Sequence, residues 1–260
     1  MKIVYSDLDG TLLDHDTYSY AAAKKGLDWL KKQNVPIVFC TSKTREEIVY
    51  WKQEMENVHP FISENGGGIF IPHDYFSFPF DYTKKTDSFY LIRFGAPFHK
   101  LKKTINQIEK EFDVTSFLSM SVSELTDLAD LSKKDAQRAL NREFDIPFIM
   151  HNQDQKNDII KVIKNNKLNI VEGGRFFHLV GENDKGKAVS VLTSLFHQVF
   201  DTVETIGIGD SANDFSMLQA VDKPFLVMKK DQSFASKKFP HTKGIGPVGW
   251  QLVIENEFDL

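Results

Sequence analysis

The segment IVYSDLDGTLLD, residues 3–14, is the stretch on which the fold turns. Ile3, Val4 and Tyr5 favour a strand, and the chain then runs straight into Asp7 and Asp9. On an extended chain those two carboxylates point the same way. Like charges on one side of a strand end repel each other unless a cation sits between them. Gly10 and Thr11 break the strand and offer an unhindered backbone and a hydroxyl. An ordinary Asp/Gly turn is the plain alternative, since both residues favour turns for local reasons.

Working outward, strand and helix patterns alternate. TYSYAAAKKGLDWLKKQN places Ala22, Ala23, Leu27 and Leu30 at helical spacing and ends in Lys-Lys-Gln-Asn. VPIVFCTS reads as a second apolar strand, KTREEIVYWKQEME as an amphipathic helix, and PFISENGGGIFIP as two strands about a glycine turn. This order predicts a parallel sheet flanked by helices. Between residues 84 and 182 the pattern changes to a strand–helix mixture. It contains SFYLIRFG, FHKLKKTINQIEKEF, SKKDAQRALNREF, PFIMHN and RFFHLVG. From 183 the first pattern returns, with a helix over KGKAVSVLTSLFHQV and a strand running into GDSAND. The expected organisation is a core of residues 1–83 and 183–260, interrupted by an α+β insert at 84–182.

Composition narrows the function classes. The chain has 260 residues, 41% hydrophobic and 26% charged, enough for a sizeable core. A net charge of −4 gives no reason to expect nucleic acid or an anionic membrane as partner. No apolar run reaches the roughly 18 residues of a membrane helix, and the N-terminus does not resemble a signal peptide. The single cysteine, Cys40, reads as a core residue, so a cytoplasmic setting is expected.

Open parallel sheets bind ligands beyond the carboxyl ends of their strands. After the first strand come Asp7, Asp9, Gly10 and Thr11; after the second come Thr41, Ser42, Lys43 and Arg45. A helix start with free N–H groups and hydroxyls suits a phosphate. After the later strand come Asp210 and Asp214, and Lys187 lies near the start of the preceding helix. Each has a bland reading as a cap or a solvated side chain. Together, acids, a hydroxyl and a lysine on one rim predict a hard-cation site beside an oxyanion site.

DLDGT, the hydroxyl of CTSKTR, the lysine of NDKGKAV and GDSANDFSML together resemble the four motifs of haloacid-dehalogenase-like (HAD) phosphohydrolases. The long gap before the third motif resembles the members with a large inserted cap. The resemblance implies an α/β fold with a HAD-like Rossmannoid parallel-sheet core and an inserted α+β cap. It implies Asp7 as nucleophile, Asp9 as general acid/base, and Thr41 and Lys187 as holders of the phosphoryl oxygens. It further implies Mg²⁺ on Asp7, Asp9 (by its backbone carbonyl) and Asp210, with Asp214 in support.

A narrower likeness lies in TSKTR, PFISENGGGIFIP, NREFDIPF and GGRFFHLVGENDKGKA, which resemble the mannosyl-3-phosphoglycerate phosphatase family. That family's substrate carries a phosphate, a carboxylate and a sugar. Lys43, Arg45, Arg142 and Arg175 are then candidates for its anionic groups. Ser42, Glu64, Asn65, His178 and Asn213 are candidates for further substrate contacts. A glucosyl analogue, another sugar phosphate or a phosphomannomutase-type isomerisation are the alternatives. A receiver-like signalling domain, which also uses Asp, Thr, Lys and Mg²⁺, would carry its aspartate on a later strand and no such insert.

Overall fold

The computed structural model describes residues 1–173 and 176–260. The first section lays down β1 (Lys2–Ser6), α1 (Lys24–Lys32), β2 (Ile37–Cys40), α2 (Arg45–Glu54), β3 (Phe61–Ser63), β4 (Gly68–Pro72), β5 (Lys84–Lys85) and β6 (Phe89–Arg93). The middle section contains α3 (Phe98–Glu111), β7 (Val114–Ser116), α4 (Val122–Ala129), α5 (Lys133–Leu140), β8 (Asp145–Met150), α6 (Lys156–Asn165), β9 (Asn169–Glu172) and β10 (Phe177–Val180). The last section is α7 (Lys185–Phe196), β11 (Glu204–Gly209), α8 (Phe215–Gln219), β12 (Lys223–Met228), β13 (His241–Ile245) and α9 (Pro247–Phe258).

The first and last sections share a nine-stranded sheet in the order β13-β12-β11-β1-β2-β3-β4-β6-β5. From β13 to β3 neighbouring strands are parallel; β4, β6 and β5 are antiparallel. Side chains alternate across the sheet, as a period of two requires. Val4, Phe39, Phe61, Ile206 and Ile208 face one way, onto Leu27 and Leu30 of α1 and Trp250 and Ile254 of α9. Ile3, Tyr5, Val38 and Cys40 face the other way, onto Val189 and Leu192 of α7 and Leu218 of α8. Both faces are therefore covered, and β1 and β2 read as continuous apolar runs. The buried Trp250 indole donates to Ser6 Oγ at 3.0 Å, tying α9 to β1.

The middle section has its own antiparallel sheet, β7-β8-β10-β9. Ile146 and Phe148 of β8 and Leu179 of β10 pack on Ile105 of α3 and Ile159 and Ile163 of α6. Leu125 and Ala129 of α4 form a smaller cluster with Ala136 and Ala139 of α5.

Two differences from the sequence reading stand out. The segments 84–85 and 89–93 extend the large sheet instead of starting the insert. Their reason is packing: β6 takes up the free edge of β4, and Phe89 lies against Phe61 and Phe70 at 5.3 and 6.0 Å between ring centres. Helices α4 and α9 are further elements that the sequence periodicity does not announce. Helix α9 is buried along much of its length, at Trp250, Gln251, Val253 and Ile254, so it shows little polar–apolar alternation.

A polar seam joins the two sheets. Glu64 Oε2 accepts the N–H groups of Phe144 (2.7 Å) and Asp145 (2.9 Å), and its carboxylate also accepts that of Glu143 at 3.0 Å. Arg142 donates to the Ser42 carbonyl at 2.6 Å. Thr44 donates to the Arg138 carbonyl at 2.9 Å, and Arg45 pairs with Glu143 at 2.9 Å.

Candidate functional site

Parallel pairing of β1 with β11 brings Asp7 and Asp210 out of neighbouring strand ends onto one rim. Asp7 anchors its backbone there, its N–H donating to the Ile208 carbonyl at 2.9 Å. Asp7, Asp210 and Asp214 each offer a carboxylate oxygen within 4.8 Å of the others. The glycines at these strand ends make that closeness possible. Gly10 has φ +73°, and a Cβ there would come 3.0 Å from Asp210 Oδ2. A Cβ at Gly209 would come 2.6 Å from the Asp214 side chain.

One cation lies among these acids. Lys185 Nζ donates to Asp7 Oδ1 at 2.9 Å and Asp214 Oδ1 at 2.6 Å, and the lysine is fully buried. Asp214 Oδ2 accepts the N–H groups of Asp210 (3.0 Å) and Ser211 (3.1 Å). Both Asp214 oxygens are thus occupied by the protein, and its part is to hold Lys185 and the turn. Asp7 Oδ2 accepts no hydrogen bond from a described residue. Burial pushes the Asp7 carboxyl well above the usual carboxylate range, against Lys185, with Asp214 and Asp210 adding to the rise. Burial and then Asp214 raise Asp210 to about 7. Three clustered acids facing one lysine suit a divalent cation of hard-oxygen preference, held by Asp7 and Asp210.

Helix α7 explains why Lys185 holds this place. Asp184 caps the helix, its Oδ1 accepting the N–H groups of Gly186 (2.7 Å) and Lys187 (3.1 Å). Residues two apart on a helix point roughly 200° apart, so only one of the two lysines can face the site. The structure turns Lys185 inward. Lys187, the lysine expected from the sequence, is exposed and lies over the Phe94 ring, 5.3 Å from its centre.

A cavity of about 690 Å³ opens over Asp7. Its polar wall comes from the large sheet, with Asp7, Asp9, Ser42, Lys43, Asp210 and Asn213. Its apolar wall comes from the middle section, with Phe117, Leu125, Leu131 and Phe176. Asp9 is 38% exposed along its side chain, and its Oδ1 pairs with buried Lys43 Nζ at 2.9 Å. Lys43 also faces Glu47 at 3.5 Å; despite burial, Asp9 and Glu47 hold its ammonium above the usual lysine range. Thr41 is fully buried, and its carbonyl accepts the Asn65 N–H at 3.0 Å.

Several expected substrate contacts lie elsewhere. Arg45 pairs with Glu143 and lines a separate surface pocket. Glu64 is fully buried with its carboxylate on three amides, so it fastens the seam instead of meeting a sugar. Burial pushes it up to about 8, opposed by Arg142. Arg142 lines the cavity, but its guanidinium is engaged by Asp145, the Ser42 carbonyl and Glu64 (3.7 Å). His178 also lines the cavity, with Nδ1 at 2.8 Å from Asp145 Oδ2. Burial would raise Asp145, but Arg142 and His178 override it and hold its carboxyl at about 2. Asn213 lines the cavity, and its Nδ2 donates to Oδ1 of Asn65, which is buried behind it, at 3.1 Å. Arg175 lies outside the described residues. Lys229, beyond β12, lines the cavity and was not anticipated, since it sits in no motif. Cys40, deep in the core, has its thiol pushed far up by burial.

The family model for haloacid dehalogenase-like hydrolases matches residues 4–235. This chain belongs to that family. Among curated relatives of this HAD-like chain, a glucosyl-3-phosphoglycerate/mannosyl-3-phosphoglycerate phosphatase of Methanococcoides burtonii is 43% identical over 97% of this chain and 95% of its own. A mannosyl-3-phosphoglycerate phosphatase of Pyrococcus furiosus is 31% identical over 87% of this chain and 91% of its own. A solved HAD subclass IIB sugar phosphatase, BT4131, matches all of both chains with TM-score 0.68 at 16% identity. The Thermoplasma acidophilum 0175 structure gives TM-score 0.71 at 17% identity, over 100% of this chain and 98% of its own. At those identities the solved structures speak for the HAD-like fold. No described helix is long and apolar enough to cross a membrane.

Proposed function

We propose that this HAD-like hydrolase is a Mg²⁺-dependent phosphatase that removes phosphate from mannosyl-3-phosphoglycerate through an aspartyl-phosphate. The carrying observation is Asp7, with one oxygen on Lys185 and the other without a donor among the described residues, at the base of a cavity shared with Asp9. Asp7 attacks phosphorus as the ester oxygen leaves with its electron pair, and Asp9 delivers the proton to that oxygen. Water then attacks the aspartyl-phosphate, gives its proton to Asp9, and inorganic phosphate leaves with Asp7 restored. Lys185 holds Asp7 in orientation and offsets charge near the phosphoryl group. Asp7, Asp210 and the Asp9 carbonyl would hold Mg²⁺, which supplies Lewis-acid screening of the phosphate's negative charge. The middle section acts as the cap that shapes the rest of the cavity around the substrate.

Two relatives named for a glycosyl-3-phosphoglycerate support the substrate class. The Methanococcoides relative is named for both sugars, and that favours glucosyl-3-phosphoglycerate as a second reading. The test is phosphate release from both compounds with Mg²⁺, with chelator, and with Ca²⁺ instead. Mg²⁺ is expected to support turnover, whereas chelator and Ca²⁺ abolish it. Turnover that requires a bisphosphate activator would point to a mutase, and full activity in chelator would remove the metal from the reading.

A further inference from the structure

The cavity contains several cationic side chains, and their partners separate them. Lys43 is on Asp9 and Glu47 at 2.9 and 3.5 Å. Arg142 is on Asp145, Glu64 and the Ser42 carbonyl. Lys230 is on Asp16 at 2.5 Å, and His15 lies 3.4 Å from the same residue. His178 is on Asp145 at 2.8 Å. Lys229 differs. It is half-buried, lines the cavity, and has no carboxylate within ion-pair distance among the described residues.

Its place in the sheet is informative. β12 runs parallel beside β11, with Gly209 opposite Leu226. Lys229 therefore leaves β12 on the same rim where Asp210 leaves β11. A phosphate on Asp7 uses Lys185 and the cation site. A substrate with a second anionic group a few bonds from the ester oxygen still needs a counter-charge, and a buried charge left unpaired is costly.

We propose that Lys229 is the specificity-determining residue that receives the carboxylate of the glycerate moiety. This rests on the phosphoglycerate reading above and deepens it by assigning the second anion a partner. Lys229 takes over a task that sequence alone suggested for Lys43, Arg45, Arg142 and Arg175, of which the first three are paired with acids of the fold.

The experiment compares mannosyl-3-phosphoglycerate with its carboxyl methyl ester, which keeps the phosphate and the sugar. In the parent enzyme, kcat/KM is expected to favour the free acid by about tenfold or more, the size of a charge-assisted bond. Lys229→Met should bring that ratio close to unity, chiefly through KM, and Lys229→Arg should restore most of it. A ratio unchanged in Lys229→Met, or one lost in Arg175→Ala instead, overturns the assignment. Competition with p-nitrophenyl phosphate provides an arm independent of the glycosyl substrate. There 3-phosphoglycerate should inhibit the parent more strongly than glycerol 3-phosphate, and Lys229→Met should erase the difference. No turnover of any glycosyl-phosphoglycerate would sink the substrate reading, whereas equal inhibition by these two competitors in the parent sinks the Lys229 assignment.

Discussion

Two buried charge clusters lie side by side in this molecule, and they are built to opposite ends. In the seam, Glu64, Asp145, Arg142 and His178 occupy one another and the backbone between the two sheets. Around Asp7, three acids cluster about one lysine, and both Asp7 and Asp210 are pushed up by burial and by the charge of Asp214. Completed pairing makes the first cluster a fastening. Surplus negative charge, and an Asp7 oxygen without a donor among the described residues, suit the second to the cation and phosphate of the proposed reaction. The identity of the residues does not separate the two clusters; the state of their partners does.

The sharpest way to break this comparison is at Asp7. Asp7→Asn keeps the shape but cannot form the acyl-phosphate, so turnover should fall on the order of 10⁴-fold. Its thermal midpoint should hold or rise, because one of the clustered like charges is gone. A variant that still released phosphate near the parent rate would refute the nucleophile.

Next comes the lysine. Lys185→Met leaves Asp7 and Asp214 buried without their counter-charge and should cost about 3–5 kcal/mol of stability along with most activity. Lys187→Met, on the exposed face of the same helix, should stay within about 0.5 kcal/mol of the parent. Denaturant melts and phosphate release on the two variants check this, and a reversed pattern would return the role to Lys187.

Arg142 sharpens the contrast from the seam's side. Arg142→Ala should destabilise by about 3–5 kcal/mol, since the buried Asp145 carboxylate loses its guanidinium partner. Its activity loss should be the same for p-nitrophenyl phosphate as for the glycosyl substrate. A loss confined to the glycosyl substrate would mean that Arg142 grips substrate after all.

The smallest effect is a pH slope. Glu64 has a folded value near 8, above its ordinary carboxyl value, so the folded state binds the extra proton between about 4.5 and 8. Its contribution is fully present below that window and is lost as pH rises through 8. Glu64→Gln should therefore flatten the decline in thermal midpoint between pH 5 and pH 8. Equal slopes in parent and variant would mean that Glu64 does not titrate there.

Much was legible from the chain alone. Apolar runs ending in Asp7-Leu-Asp9-Gly10 and Gly209-Asp210 announced strands of a parallel sheet, because a strand covered on both faces has no polar period to hide it. Strand ends of such a sheet share one rim, so Asp7, Asp9, Asp210 and Asp214 were readable as one site before any contact was known. What only the tertiary structure decided was the partner of each charge. Helical rotation chose Lys185 over Lys187, and sheet pairing moved Phe89–Arg93 into the core. The fold engaged Arg142 and Glu64 in the seam while leaving Lys229 without an ion pair among the described residues. A local pattern reports which residues are charged and which way they face. Whether a charge is already neutralised depends on contacts across long stretches of chain, such as Lys43 with Asp9 or Asp7 with Lys185, and spacing along the sequence does not encode those distances.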